Sequence, residues 1–325
     1  MNKTPLLTVI LSTYNHVSTF ERAIESVLSQ KTNFEYKIII NDDASNDGTS
    51  DIVRKYAGMY PDKIIANIGE ENTGATPRII AAIEQLDTKY YAILETDDYW
   101  CDENKLQIQV DIMEANPDCS VCAHNTVVKY NDGSEKLYLA GVPECKFEFP
   151  KHRITKKEYI EPHISTKIFR TDAIDPKEVK NPLMLVYDIA NNFYYLTKGK
   201  MYYIDKPMSV YNYTGTGFHS AKNPYQQRHK SADIIYQLNK EFDFKYNYLL
   251  SRFFATRLNL FITTYWKLKY FTPKNKLDKA YNRILTNFKK TYLSQTDIKP
   301  ILRFVLPLSK KRRIVFELKR EKDRV

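Results

Sequence analysis

Tyr90-Tyr91-Ala92-Ile93-Leu94 runs straight into Glu95-Thr96-Asp97-Asp98-Tyr99-Trp100, so a wholly apolar segment ends in three carboxylates within four residues. Two earlier segments share this form. Thr8-Val9-Ile10-Leu11-Ser12 ends in Thr13-Tyr14-Asn15-His16, and Tyr36-Lys37-Ile38-Ile39-Ile40 ends in Asn41-Asp42-Asp43-Ala44-Ser45-Asn46-Asp47-Gly48. Helical spacing fills the intervals. Phe20, Ala23, Ile24, Val27 and Leu28 repeat on one face behind a Ser18/Glu21 capping box, and Ile79, Ile80, Ile83 and Leu86 follow Thr76-Pro77 as N-cap and first helical residue. Lys63-Ile64-Ile65-Ala66 supplies a further strand. Strands this apolar, alternating with helices, predict a mostly parallel sheet covered on both faces. Ligands of such sheets bind beyond the carboxyl ends of the strands, which is where all three polar clusters fall.

Three carboxylates at the end of a buried strand raise one another's pKa unless a cation neutralises them. Oxygen ligands in this number suit Mn²⁺ or Mg²⁺, held together with the phosphates of a ligand. Taken alone, the cluster is equally compatible with a solvated acidic loop or with helix-capping Asp residues.

The chain has 325 residues, 43% hydrophobic and 27% charged, enough for a sizeable core and about two domains. That composition excludes collagen-like and disordered classes. No apolar stretch reaches the roughly 20 residues of a membrane-spanning helix, and Met1 to Leu7 carries no signal-peptide core. Four Cys suit a reducing compartment; Cys119 and Cys122 form a lone CxxC that reads as buried thiols better than as half a zinc site. The net charge of +10 is uneven, for Lys240 to Val325 carries 22 Lys/Arg against 7 Asp/Glu, interleaved with 16 aromatics. The expected division is therefore an α/β domain over 1–222, which the resemblance described next makes the catalytic one, and a helical, basic, aromatic-rich region over 223–325.

In order along the chain, four segments resemble the signatures of family 2 glycosyltransferases: Val9 to Asn15; Ile38 to Thr49, which is similar to the Asp-Asp-Gly-Ser-x-Asp-Gly-Thr loop; Asn72-Thr73-Gly74 with Arg78; and Leu94 to Trp100, which is similar to Asp-x-Asp-Asp-x-Trp. The resemblance implies a GT-A fold, a Rossmann-like, mostly parallel sheet flanked by helices, here with a C-terminal α-helical extension. It also implies an inverting transfer of a sugar from a nucleoside-diphosphate donor, with a UDP-sugar the expected one, to a hydroxyl of a glycan or lipid-linked acceptor. Carried over by position, Thr13 and Tyr14 line the nucleotide pocket and Asp43 accepts from the base. Arg78 reaches the nucleotide, one residue nearer Gly74 than in the common pattern. Asp97 contacts the donor ribose or sugar, and Asp98 holds Mn²⁺ or Mg²⁺ on the diphosphate, with Glu95 standing where the family has its first Asp.

Transfer to a hydroxyl needs a base. Asp188, ahead of Ile189 to Leu196 and then Gly199-Lys200 and Ser209-Val210-Tyr211, matches the family's acidic residue and is the candidate; a plain helix N-cap is the alternative. Beyond Tyr211 the sequence departs from the family, with Asn212 and Thr214 where relatives carry Arg and His. His219 is a candidate substitute ligand to metal or diphosphate, and His163 a candidate lining of the acceptor cleft. The basic region suits docking on an anionic membrane surface, packing or homodimer formation, or, less well, nucleic acid. Docking of a peripheral enzyme at the cytoplasmic face of the cell membrane, in cell-surface polysaccharide synthesis, is the reading this favours. A sugar nucleotidyltransferase and a non-catalytic nucleotide-sugar-binding protein are the alternatives; no Gly-rich triphosphate loop follows the first strand.

Overall fold

The computed structural model describes residues 4–149, 160–174, 179, 181–213 and, further on, 234–235, 237–238, 240–243 and 245–246. The described residues up to 213 belong to one compact unit. His219 lies outside the described residues, as does the expected C-terminal helical, basic region beyond 246.

The first half is built as its periodicity predicts. Strand β1 (Leu7–Thr13) leads to helix α1 (Phe20–Leu28), β2 (Tyr36–Asp42), α2 (Thr49–Met59), β3 (Ile64–Ile68), α3 (Ala75–Glu84) and β4 (Tyr90–Glu95). All four strands are parallel, in the order β3-β2-β1-β4. Val9, Leu11, Ile38, Ile40, Ala92 and Leu94 are fully buried, as the unbroken apolar runs require, and Phe20, Ala23, Ile24 and Val27 of α1 close one face over them.

The second half is a mixed extension of the same sheet. It comprises β5 (Tyr99–Trp100), α4 (Lys105–Ala115), β6 (Cys119–Tyr130), β7 (Glu135–Leu137), β8 (Cys145–Phe147), β9 (Ile168–Arg170), α5 (Asp188–Leu196) and β10 (Lys200–Tyr213). The sheet continues β4-β9-β6-β10-β5, with β9 antiparallel to both β4 and β6, and β6 parallel to β10. The chain thus moves outward from β1 through β2 to β3, then returns to the other side of β1 as β4. This reversal makes the β1/β4 junction the topological switch point, where a crevice opens at the carboxyl ends.

Two helix starts differ from the sequence reading. Helix α1 begins after Thr19, with no side-chain cap; the Phe20 and Thr19 amides donate to the His16 carbonyl at 2.8 and 3.0 Å, so a backbone turn replaces the Ser18/Glu21 box. Helix α3 begins after Gly74, at φ 90°, which places Thr76 and Pro77 inside its first turn. Its entry is organised by a distant carboxylate, described below. The CxxC thiols are buried and unpaired with each other, and burial pushes Cys119 up to about 11 and Cys122 to about 12, as expected of inert core cysteines.

Candidate active site

The first polar cluster divides its labour. Asp42 and Asp47 build the loop after β2: Asp42 Oδ1 accepts from the Ser45 amide (3.2 Å), and Asp42 Oδ2 from the Ser50 hydroxyl. Asp47 accepts from the Val17 amide (3.0 Å) and from the Thr49 amide (3.0 Å) and hydroxyl (2.6 Å). Asn15, at φ 55°, links the two loops. Its amide donates to Ser45 Oγ, and its side-chain oxygen accepts from the Asn46 amide, each at 2.9 Å.

Asp43 faces elsewhere. Its Oδ1 accepts from the Thr73 amide (2.9 Å), the Thr73 hydroxyl (3.1 Å) and Arg78 Nε (2.5 Å), and its Oδ2 accepts from the Gly74 amide (2.7 Å). This carboxylate sits ahead of α3 and supplies the anionic partner that a helix N-terminus favours, hence the missing side-chain cap. Burial acts to raise the Asp43 pKa, but the Arg78 guanidinium and the Thr73 and Gly74 donors outweigh it and hold the carboxyl below its ordinary range. Arg78 is therefore committed to Asp43 and, through Nη2, to the Glu71 carbonyl at 3.0 Å. Nearby, Tyr14 is 42% exposed and Thr13 is buried, with its hydroxyl lacking a hydrogen-bond partner among the described residues. An orphaned hydroxyl at the end of β1 is an opening for a ligand atom.

The second cluster lies at the end of β4. Asp98 is buried; its Oδ2 accepts from Ser165 Oγ (3.1 Å) and its Oδ1 from the Asn212 amide (3.1 Å). Asn212 Nδ2 also donates to the Asp97 carbonyl at 2.6 Å, which fastens the acidic loop to β10. Asp97 itself is half-buried. His16 Nδ1 lies 2.8 Å from the Thr96 hydroxyl, which donates to the Ser12 carbonyl at 3.2 Å, joining the loops across the switch point.

His163 occupies the space between two acids, with Nε2 3.6 Å from Glu95 Oε2 and Nδ1 3.5 Å from Asp98 Oδ2. One ligand atom from each of Glu95, Asp98 and His163 lies within 4.8 Å of the others. Enclosure by the protein, then the charges of Asp97 and Glu95, push the Asp98 carboxyl well up. Glu95 moves the same way, by enclosure and then by Asp97 and Asp188, although its side chain keeps 47% of its surface open. Burial acts in the opposite direction on His163 and keeps it neutral. Two crowded carboxyls and a neutral imidazole form a donor set that fits a divalent cation such as Mn²⁺ or Mg²⁺.

Asp188 opens α5 and reaches the same region, since its charge is felt by both Glu95 and His163. Its Oδ1 accepts from Lys167 Nζ at 3.0 Å, and Lys167 also donates to Asn191 Oδ1 at 3.3 Å. The structure therefore gathers Thr13, Tyr14, Asp43, Arg78, Glu95, Asp97, Asp98 and Asp188 along the carboxyl ends of neighbouring strands. It adds His163, Ser165 and Lys167, which the sequence reading either placed only at an acceptor cleft or passed over. The one available signal was the density of polar residues in His163-Ile164-Ser165-Thr166-Lys167 ahead of an apolar strand.

Residues 8–174 match the model of glycosyl transferase family 2. The chain belongs to that family. Among curated relatives of this family 2 chain, the putative teichuronic acid biosynthesis glycosyltransferase TuaG of Bacillus subtilis is 37% identical over 34% of this chain and 43% of its own length. The UDP-Glc:alpha-D-GlcNAc-diphosphoundecaprenol beta-1,3-glucosyltransferase WfaP of Escherichia coli is 35% identical over 34% of this chain and 41% of its own. The chain thus matches less than half the length of either. The crystal structure of S. aureus TarS 1-349 in complex with UDP-GlcNAc aligns with a TM-score of 0.59 at 17% identity, covering 92% of this chain and 83% of that one, a likeness of fold.

Proposed function

We propose that this family 2 protein is an inverting glycosyltransferase that moves a sugar from a UDP-sugar to a hydroxyl of a glycan or lipid-linked acceptor in cell-surface polysaccharide synthesis. The observation that carries the reading is the single edge shared by the Asp43/Arg78 pair, the Glu95/Asp98/His163 set and Asp188. The names of WfaP and TuaG, a glucosyltransferase of a diphosphoundecaprenol-linked substrate and a teichuronic acid enzyme, support the substrate class, and the UDP-GlcNAc bound to TarS supports the donor class.

The residues divide by role. Thr13, Tyr14 and Asp43 bind the nucleotide, with the Thr13 hydroxyl supplying the unspent hydrogen bond and Arg78 holding the Asp43 carboxylate in place, and Asp97 contacts the donor ribose or sugar. Asp98, Glu95 and His163 would hold Mn²⁺ or Mg²⁺, which when bound supplies positive charge against the departing diphosphate. Asp188, held by Lys167 and open to solvent on one side, accepts the proton of the acceptor hydroxyl as the hydroxyl oxygen attacks the anomeric carbon. The bond to the diphosphate breaks in the same displacement, so the anomeric configuration inverts. Residues 223–325, with their cationic and aromatic composition, are the proposed docking region for an anionic membrane surface at the cytoplasmic face. Among the described residues, no helix is long and apolar enough to cross a membrane.

The deciding experiment incubates the full chain with a panel of nucleotide sugars and Mn²⁺ or Mg²⁺, with undecaprenyl-diphosphate-linked GlcNAc as acceptor. Release of nucleoside diphosphate with a glycosylated product supports the proposal. Pyrophosphate release from a nucleoside triphosphate and a sugar phosphate would overturn it, as would donor binding without turnover across the panel.

A further inference from the structure

The side of the sheet away from Asp43 carries an aromatic run that ends at the acidic cluster. Tyr213 on β10 lies beside Tyr130 on β6 in the sheet register, with ring centroids 5.5 Å apart. Tyr211, two residues back on the same face, meets Tyr213 edge-on at 6.3 Å and stacks on His163 at 4.5 Å and 23°. Tyr138, just past β7, meets the other edge of His163 at 6.4 Å. The rings at the two ends are accessible, Tyr138 at 39% and Tyr213 at 37%. Five rings from two strands and two connecting segments thus form one contiguous cluster with an accessible ring at each end, and its central member, His163, approaches both Glu95 and Asp98.

We propose that Tyr130, Tyr211, Tyr213 and Tyr138 form the platform on which the acceptor's sugar ring lies, an uncharged pyranose whose C–H face packs on the aromatic rings while its hydroxyls point to the carboxylates. The proposal rests on the glycosyltransferase reading and adds the acceptor's subsite and its chemistry. Continuity with the acidic cluster fixes the occupant. An alkyl chain would leave Asp97 facing hydrocarbon, and an anionic sugar would meet the charge of Asp97, which lies outside the proposed cation ligands and is felt at Tyr211. A neutral ring with one apolar face and polar edges satisfies both walls, the usual arrangement of an aromatic-lined site with a few converging polar groups.

The test is saturation-transfer NMR on the full chain with methyl β-D-glucopyranoside and methyl N-acetyl-β-D-glucosaminide, with methyl β-D-glucopyranosiduronate as the anionic control. Weak binding, roughly millimolar, is within reach of this method. We expect transfer to the ring C–H protons of a neutral glycoside, a loss of about fivefold or more in Tyr213→Leu, and recovery in Tyr213→Phe. Tyr138→Leu gives an independent reading should Tyr213→Leu melt early by circular dichroism. Signals unchanged in both Leu variants, or equal signals from the anionic control, would overturn the platform. If glycoside binding depends on Tyr213 while no donor in the panel is turned over, the platform stands and the transferase reading fails. If donors are turned over while acceptor binding is indifferent to both tyrosines, the platform fails and the transferase reading stands.

Discussion

Lys167 Nζ lies 3.0 Å from Asp188 Oδ1, with no part of the Lys167 side chain exposed and 30% of Asp188 open. A buried ammonium beneath a half-open carboxylate fixes the acid in place while leaving one oxygen for a substrate. The pair also connects two elements, the residue just ahead of β9 and the first turn of α5, so it sets where Asp188 points. Lys167→Met is expected to lower kcat by about tenfold or more while leaving the donor KM within about twofold, because the proton acceptor is displaced and the nucleotide site is not. Lys167→Arg is not expected to restore it, since a guanidinium needs a larger cavity. Steady-state kinetics on both variants check the split.

Asp188→Asn tests the base itself. The amide keeps the shape and still accepts from Lys167, yet takes up no proton. Turnover is expected to fall by about 10² to 10⁴ with the donor-induced thermal shift retained. A collapse of the thermal shift would place Asp188 in the donor site instead.

Gly69 governs the position of Arg78. A Cβ there would come within 1.7 Å of Arg78 Nη2 and 2.9 Å of Nη1, so the guanidinium must leave its place beside Asp43. Gly69→Ala is expected to fold, because a flexible side-chain end gives way, and to weaken UDP binding by about tenfold as the Asp43 and Arg78 pairing is lost. Gly58→Ala is the control. It lies inside α2 with nothing within 4 Å of its Cβ, and should gain about 0.5–1 kcal/mol from helix propensity with UDP affinity unchanged. Isothermal titration and urea melts on the two variants make the comparison.

Much of this was readable in advance, for a physical reason. β1, β2 and β4 are buried on both faces, so they appear as unbroken apolar runs with polar residues concentrated at their carboxyl ends; the place of the three polar clusters follows from that, while the choice of Tyr14, Asp43 and Asp98 within them rests on the family resemblance. The helix entries are not legible locally because the groups that organise them are remote: the Asp43 carboxylate reaches Thr73 and Gly74 across 30 residues, and His16, anchored on Thr49 and Thr96, presents the carbonyl that starts α1. His163 and Lys167 belong to the same category. Their partners Glu95, Asp98 and Asp188 lie between 21 and 68 residues away, and no local periodicity encodes which polar residue will face which acid once β9 inserts between β4 and β6. The aromatic run on β6 and β10 was hidden in the same way, since it exists only through the pairing of those strands.

Asp98 trades stability for its position. Enclosure and neighbouring acids disfavour its charged form, so Asp98→Asn is expected to raise the stability of the metal-free protein by about 1 kcal/mol, while abolishing any Mn²⁺-induced thermal shift and turnover. Differential scanning fluorimetry with and without Mn²⁺ separates the two effects; a retained Mn²⁺ shift would remove Asp98 from the ligand set.

Lys105 carries the sharpest pH prediction, because it lies in the core. Its ammonium is buried without a hydrogen-bond partner among the described residues and rests 3.8 Å over the Trp100 ring. Burial drives its pKa well below the ordinary lysine range, and its charge also disfavours protonation of the buried His124. Between its depressed folded value and about 10.4, the unfolded chain binds a proton that the folded chain does not, so this residue makes stability rise with pH across that window. Below the window the folded protein must bury the charge against a single aromatic face, a contact that offsets only part of the desolvation. Lys105→Met keeps the stem and removes the amine. The variant is expected to be more stable than wild type by about 2 kcal/mol at neutral pH. The advantage should shrink toward pH 9.5, because removing the proton that the unfolded chain's lysine still holds costs less the nearer the pH is to about 10.4. Urea midpoints for the two proteins at pH 7 and 9.5 check this, and a difference that stays constant or grows with pH would show that Lys105 is not the titrating group.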